Sequence, residues 1–154
     1  MKSLLRVENL TKIYMGSGII HKYPVKALDN VSFTVEEGDI FGLVGESGSG
    51  KTTLARCMLF LEPPTAGKVF YQNLCLNNLG WYHWKKLRSR MQIIFQDPNS
   101  ALNPRLTVQQ SLEEGLINLG YNRKTRKDII RKLLDQVGIP YNQADWYPHE
   151  FSGG

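Results

Sequence analysis

Lys51 and Thr52 close the run Gly45-Glu46-Ser47-Gly48-Ser49-Gly50-Lys51-Thr52, whose spacing is G-x-x-x-x-G-K-[ST]. That spacing suits phosphate binding. Glycines let the backbone curl so that successive N–H groups point inward at phosphate oxygens, and a helix starting at the end of the loop adds the positive end of its dipole. Lys51 is then placed to meet the β- and γ-phosphates of a nucleotide. The Thr52 hydroxyl is placed to ligate the Mg²⁺ that bridges those phosphates.

The flanking pattern supplies the elements such a loop needs. Ile40-Phe41-Gly42-Leu43-Val44 is a short apolar run that predicts a buried strand before the loop. Gly50 to Leu61 predicts a helix after it, with Leu54, Met58 and Leu61 on one face and Glu62-Pro63-Pro64 as its stop. Leu5 to Leu10 and Val31 to Val35 alternate as half-buried strands do, and Lys68 to Tyr71 and Met91 to Phe95 predict two more. Between these last two lies an aromatic-rich segment with Trp81, Tyr82 and Trp84.

Beyond residue 97 the pattern becomes helical. Thr107 to Gln110 has the form of a capping box, Val108, Leu112, Leu116 and Leu119 share one face, and Gly120 stands at a C-cap. A second helix runs from Thr125 and Asp128 through Ile129, Ile130, Leu133, Leu134 and Val137, and stops at Gly138 and Pro140. Residues 1–97 therefore read as a strand-rich part and 98–154 as a helical one.

The whole chain of 154 residues has 42% hydrophobic and 21% charged residues, the balance of a globular protein. No window approaches the roughly 18 apolar residues of a membrane span, and the first residues lack a signal peptide's apolar centre, so a cytosolic location is expected. Cys57 and Cys75 form no CxxC pair and predict reduced, buried thiols. His21, His83 and His149 have no metal-ligand spacing. The formal charge of +5 comes largely from Lys85, Lys86, Arg88 and Arg90 and from Arg123, Lys124, Arg126, Lys127, Arg131 and Lys132. These read as solvated helix faces, with no nucleic acid expected, because they lack the aromatic interleaving of single-strand binders.

GTPases, kinases, helicases and transport ATPases share the phosphate-binding loop, so other positions must choose among them. They resemble the ATPase subunits of ABC transporters, and within these the oligopeptide, dipeptide and nickel importers. Gly45 to Leu54, including Thr53, is similar to the Walker A motif of that family. Gln96 in Ile93-Ile94-Phe95-Gln96-Asp97-Pro98 is similar to the Q-loop glutamine, which in the family senses Mg²⁺ and the attacking water. The stretch Asp97-Pro98-Asn99-Ser100-Ala101-Leu102-Asn103-Pro104-Arg105-Leu106-Thr107-Val108 resembles a string typical of the peptide and nickel branch. Tyr14 matches the aromatic residue that stacks on adenine, with Tyr23 as the alternative. Phe151-Ser152-Gly153-Gly154 resembles the start of the signature motif, whose serine and glycine N–H groups contact ATP held by a second subunit.

The resemblance implies an α/β fold: a P-loop NTPase core with an N-terminal antiparallel β subdomain and a helical subdomain. It also implies ATP and Mg²⁺ as cofactors, membrane permease subunits and a second ABC ATPase subunit as partners, and a peripheral place on the inner face of the cell membrane. Within these residues no acidic strand end and no switch histidine follow the signature, so the C-terminal part of the core is expected to be missing and ATP hydrolysis deficient. The contrasting expectation is a nucleotide-binding remnant or interaction module without turnover. Either way, unpaired core strands predict exposed apolar surface.

Overall fold

The computed structural model describes residues 2–16, 23–97 and 101–151. These fall into two compact units, Met1–Trp84 and Lys85–Gly154. The first unit is built on an antiparallel sheet of β1 (Ser3–Met15), β2 (Pro24–Glu36), β3 (Ala66–Tyr71) and β4 (Leu74–Cys75), in the order β2-β1-β3-β4. Val7, Leu10, Leu28, Val69 and Leu76 are buried in it, as are Leu54 and Cys57 of α1 (Lys51–Met58).

β1 and β2 are each 13 residues long, well beyond the short alternating stretches expected. Bulges explain the difference. Their register shifts between Val7 and Leu10 and again between Leu10 and Lys12, where Asn9 and Asn30 turn to φ 48° and 52°. Side chains meet the backbone donors released there, Asn9 N–H bonding Ser32 Oγ (2.8 Å) and Asn30 N–H bonding Thr11 Oγ1 (3.1 Å). A bulge inserts one residue and reverses the inward-outward phase, so strict alternation covers only a piece of each strand.

Two expected strands do not form. Residues 40–44 and 91–95 carry no regular structure, and Ile40, Val44 and Ile94 are almost fully exposed. A fully apolar strand is stable only between hydrogen-bonded neighbours with both faces covered, and no described segment pairs with either stretch. The expected apolar exposure is thus present at these two segments.

α1 is shorter than the expected 50–61 helix. It ends in a Schellman turn, with Phe60 N–H donating to Cys57 O (3.0 Å) and Leu61 N–H to Arg56 O (2.9 Å). Phe60 occupies the left-handed position at φ 52°, which is strained for a bulky residue, and its ring stacks on Trp84 at 5.2 Å. The aromatic segment itself forms the short helix α2 (Trp81–Arg88). Cys57 is fully buried, which pushes its thiol pKa up, whereas Cys75 is half-exposed rather than buried, and both are free thiols.

In the second unit, α3 (Val108–Asn118) and α4 (Arg123–Gln136) pack Val108, Leu112 and Leu116 against Ile130, Leu134 and Ala144. The capping box is present: Gln110 N–H donates to Thr107 Oγ1 (3.2 Å), and Thr107 N–H to Gln110 Oε1 (2.9 Å). α4 starts earlier than Thr125, because Asn122 Oδ1 accepts from Thr125 N–H (3.0 Å) and is the cap. Leu133, Leu134 and Asp135 lie on this helix. Thr107→Ala removes the acceptor at the start of α3, and we expect it to lower the unfolding free energy of this unit by about 1 kcal/mol in urea titrations. No helix among the described residues is long and apolar enough to cross a membrane.

A candidate nucleotide-binding loop

The loop between residues 45 and 50 is a tight curl. Ser49 N–H donates to Glu46 O (3.2 Å), and Gly48 and Gly50 take φ 80° and 92°. The Lys51 ammonium lies over the curl, donating to Gly45 O (2.6 Å) and Glu46 O (2.6 Å), with Ser49 Oγ at 3.4 Å. Gly50 is the N-cap of α1, and no side chain accepts a hydrogen bond there. Among the described residues the helix start is therefore without a side-chain cap, as suits anion binding.

β2 fixes where this helix begins. A Cβ on Gly50 would lie 2.4 Å from Ala27 O and 3.2 Å from Leu28 Cδ2, so the loop can pass β2 only with glycine at this point. Thr52, next to Lys51, is exposed and Thr53 is half-buried. A tight glycine curl, a cation and an exposed hydroxyl together suit a phosphate with a bound divalent cation, and Thr52 offers that cation one oxygen.

Tyr14, near the end of β1, is linked to the same helix through Glu62. Its phenol donates to Glu62 Oε2. Glu62 also accepts from Arg56 Nη1 at 3.1 Å, and the Lys12 ammonium sits 5.1 Å from the Tyr14 ring centroid while donating to Pro63 O (2.7 Å). The hydrogen bond to Glu62, followed by burial, raises the phenol's pKa above its ordinary value. The same bond, with help from Arg56, holds the Glu62 carboxyl below the usual range even though burial opposes it. The two directions agree on a protonated phenol facing an ionised carboxylate. Tyr23 instead packs its ring across Gly16 and is 60% exposed.

Known proteins carry the same arrangement of elements. The pattern of the ABC transporter family matches residues 28–154, which include the whole glycine loop and α1. The chain belongs to the ABC transporter family. The dimeric structure of MJ0796, a bacterial ABC transporter cassette, superposes with a TM-score of 0.74 at 30% identity, over 97% of this chain and 63% of that one. A post-hydrolysis dimer of the same cassette bound to ADP and Pi gives a TM-score of 0.75 at 29% identity, with the same coverage. The fold is therefore the α/β fold of the N-terminal part of an ABC ATPase cassette.

Among ABC transporter sequences, a Brucella ovis protein provisionally named as a peptide import ATP-binding protein is 44% identical over 98% of this chain and 47% of its own length. The oligopeptide transport ATP-binding protein OppF of Streptococcus mutans is 41% identical over 99% of this chain and 49% of its own length. This chain spans about half the length of these relatives.

Within the ABC transporter chain, Tyr14, Thr53 and the loop of Gly45 to Thr52 all belong to the first unit. Gln96 belongs to the second unit, where it is exposed at a bend. Ser152, Gly153 and Gly154 lie outside the described residues. Sequence reasoning missed Lys12, Arg56 and Glu62, the charged groups around Tyr14. Glu62 reads in the sequence only as the start of a helix stop, and the turn at Phe60 that brings it back toward β1 has no glycine to announce it.

Proposed function

We propose that these residues form the nucleotide-binding part of an ATP-binding subunit of an ABC importer, one that couples ATP binding and hydrolysis to uptake of peptides, or of nickel, through a membrane permease. The observation that carries this reading is the curl of residues 45–50 beneath the Lys51 ammonium at an uncapped helix start. The relatives named for peptide import support the substrate class.

In this reading the backbone N–H groups of Glu46 to Gly50 and of the first turn of α1 hold the phosphates. Lys51 exchanges its carbonyl partners for phosphate oxygens, and the Thr52 hydroxyl ligates Mg²⁺. Bound Mg²⁺ supplies charge neutralisation at the phosphates. Tyr14 offers a ring face to adenine, Gln96 orients the attacking water, and Ser152, Gly153 and Gly154 contact ATP on a second ABC subunit. Residues 1–97 act as nucleotide-binding core and 98–154 as helical subdomain. The subunit works at the cytoplasmic face of the membrane, peripheral to its permease.

Titrating the chain with a fluorescent ATP analogue in Mg²⁺ is expected to give saturable binding that unlabelled ATP displaces. A folded chain, verified by circular dichroism, that shows no saturable binding would rule the reading out.

A further inference from the structure

From the contacts around Tyr14 we infer that Glu62, backed by Arg56, is a positioning residue that sets the Tyr14 ring as a platform for the nucleotide base. This inference rests on the reading of the glycine loop as an ATP site, and it names what holds the base end of that site.

Tyr14 stands near the end of a long strand and is 36% exposed, and a tyrosine so placed would ordinarily sample several rotamers. Here it is tied in place. The Glu62 carboxylate accepts from its hydroxyl, and the Lys12 ammonium lies near the ring. Glu62 is fixed in turn by Arg56 Nη1 at 3.1 Å. Arg56 belongs to α1, the helix whose first turn carries Lys51 and Thr52. The ring and the phosphate loop are thus referred to one rigid element.

The backbone bears strain at the point that makes this possible. Phe60 is held at φ 52° so that the chain reverses after α1, and Glu62 N–H comes to 3.4 Å from Arg56 O. Strain of this kind persists only where surrounding contacts enforce it, and here the turn delivers the carboxylate to the phenol. The cost of ordering an aromatic ring is met before a ligand arrives, which is how preorganisation raises affinity. Phosphate groups alone gain nothing from it.

The test compares ATP with tripolyphosphate, which has the phosphates without the base, on the full chain in Mg²⁺. Glu62→Ala and Tyr14→Phe are each expected to weaken ATP about fivefold, leaving tripolyphosphate affinity unchanged. Because both remove one contact, the double variant should be no weaker than either single one, and Glu62→Gln, which keeps an acceptor oxygen, should recover part of the loss. Equal losses for both ligands, or additive losses in the double variant, would overturn the assignment and leave Glu62 a structural residue only. A wild-type chain that binds tripolyphosphate as tightly as ATP overturns the base platform while sparing the phosphate loop. One that binds neither overturns the ATP site itself, and the inference with it.

Discussion

Gly50→Ala is expected to lower the stability of the first unit by about 2–5 kcal/mol, while Gly48→Ala, two residues away in the same loop, costs only about 1–2 kcal/mol. Both glycines have left-handed backbones, so an added methyl group brings the same conformational penalty at each. Their surroundings differ. A Cβ on Gly48 meets nothing within 4 Å, whereas one on Gly50 would lie 2.4 Å from Ala27 O, a backbone atom of β2 that cannot rotate away. Relief requires α1 or β2 to move, and either shift breaks the packing around Leu28 and Leu54, both nearly fully buried. Urea unfolding of the two variants separates the terms. Equal destabilisation would mean that β2 does not press on the loop.

The same position shows what a sequence carries and what it conceals. The spacing from Gly45 to Thr52 was sufficient to place the loop, because phosphate binding by backbone donors demands glycine at fixed points. Helix caps at Thr107 and stops at Gly120 and Gly138 were legible for the same reason: each is a local demand met by a local residue type. Contacts between distant segments leave no such trace. That Gly50 is also required by Ala27, or that Glu62 returns to Tyr14, depends on chain reversals of 23 and 48 residues.

Strands show a third case. Alternation marked the cores of β1 and β2 but not their full length, since the bulges at Asn9 and Asn30 reset the phase. At 40–44 and 91–95 the apolar pattern is clear and the strand absent, because β structure is a property of pairs and neither segment has a described neighbour. Apolarity predicts burial only where something is available to bury against. Ile40, Val44 and Ile94 carry the signal of core residues while standing in solvent.

Lys51→Ala is expected to leave the fold almost untouched and to remove most nucleotide binding. Lys51 is half-buried, and the oxygens its ammonium holds belong to exposed Gly45, Glu46 and Ser49, which water can serve in its place. Stability should therefore change by less than about 0.5 kcal/mol, as for other surface substitutions. Binding is another matter. A charged donor lost from a paired site costs about 2–5 kcal/mol, so ATP affinity should fall roughly 30-fold or more, and tripolyphosphate affinity with it. Lys51→Arg should not restore it, because a planar guanidinium cannot replace a compact ammonium whose two short bonds, each 2.6 Å, converge on neighbouring carbonyls. An alanine variant that keeps its affinity would place the phosphates elsewhere, and one that unfolds would make Lys51 a structural residue. Loss of affinity for both ligands at unchanged stability is the signature of a lysine held ready for phosphate, and it differs from the base-dependent loss expected at Glu62.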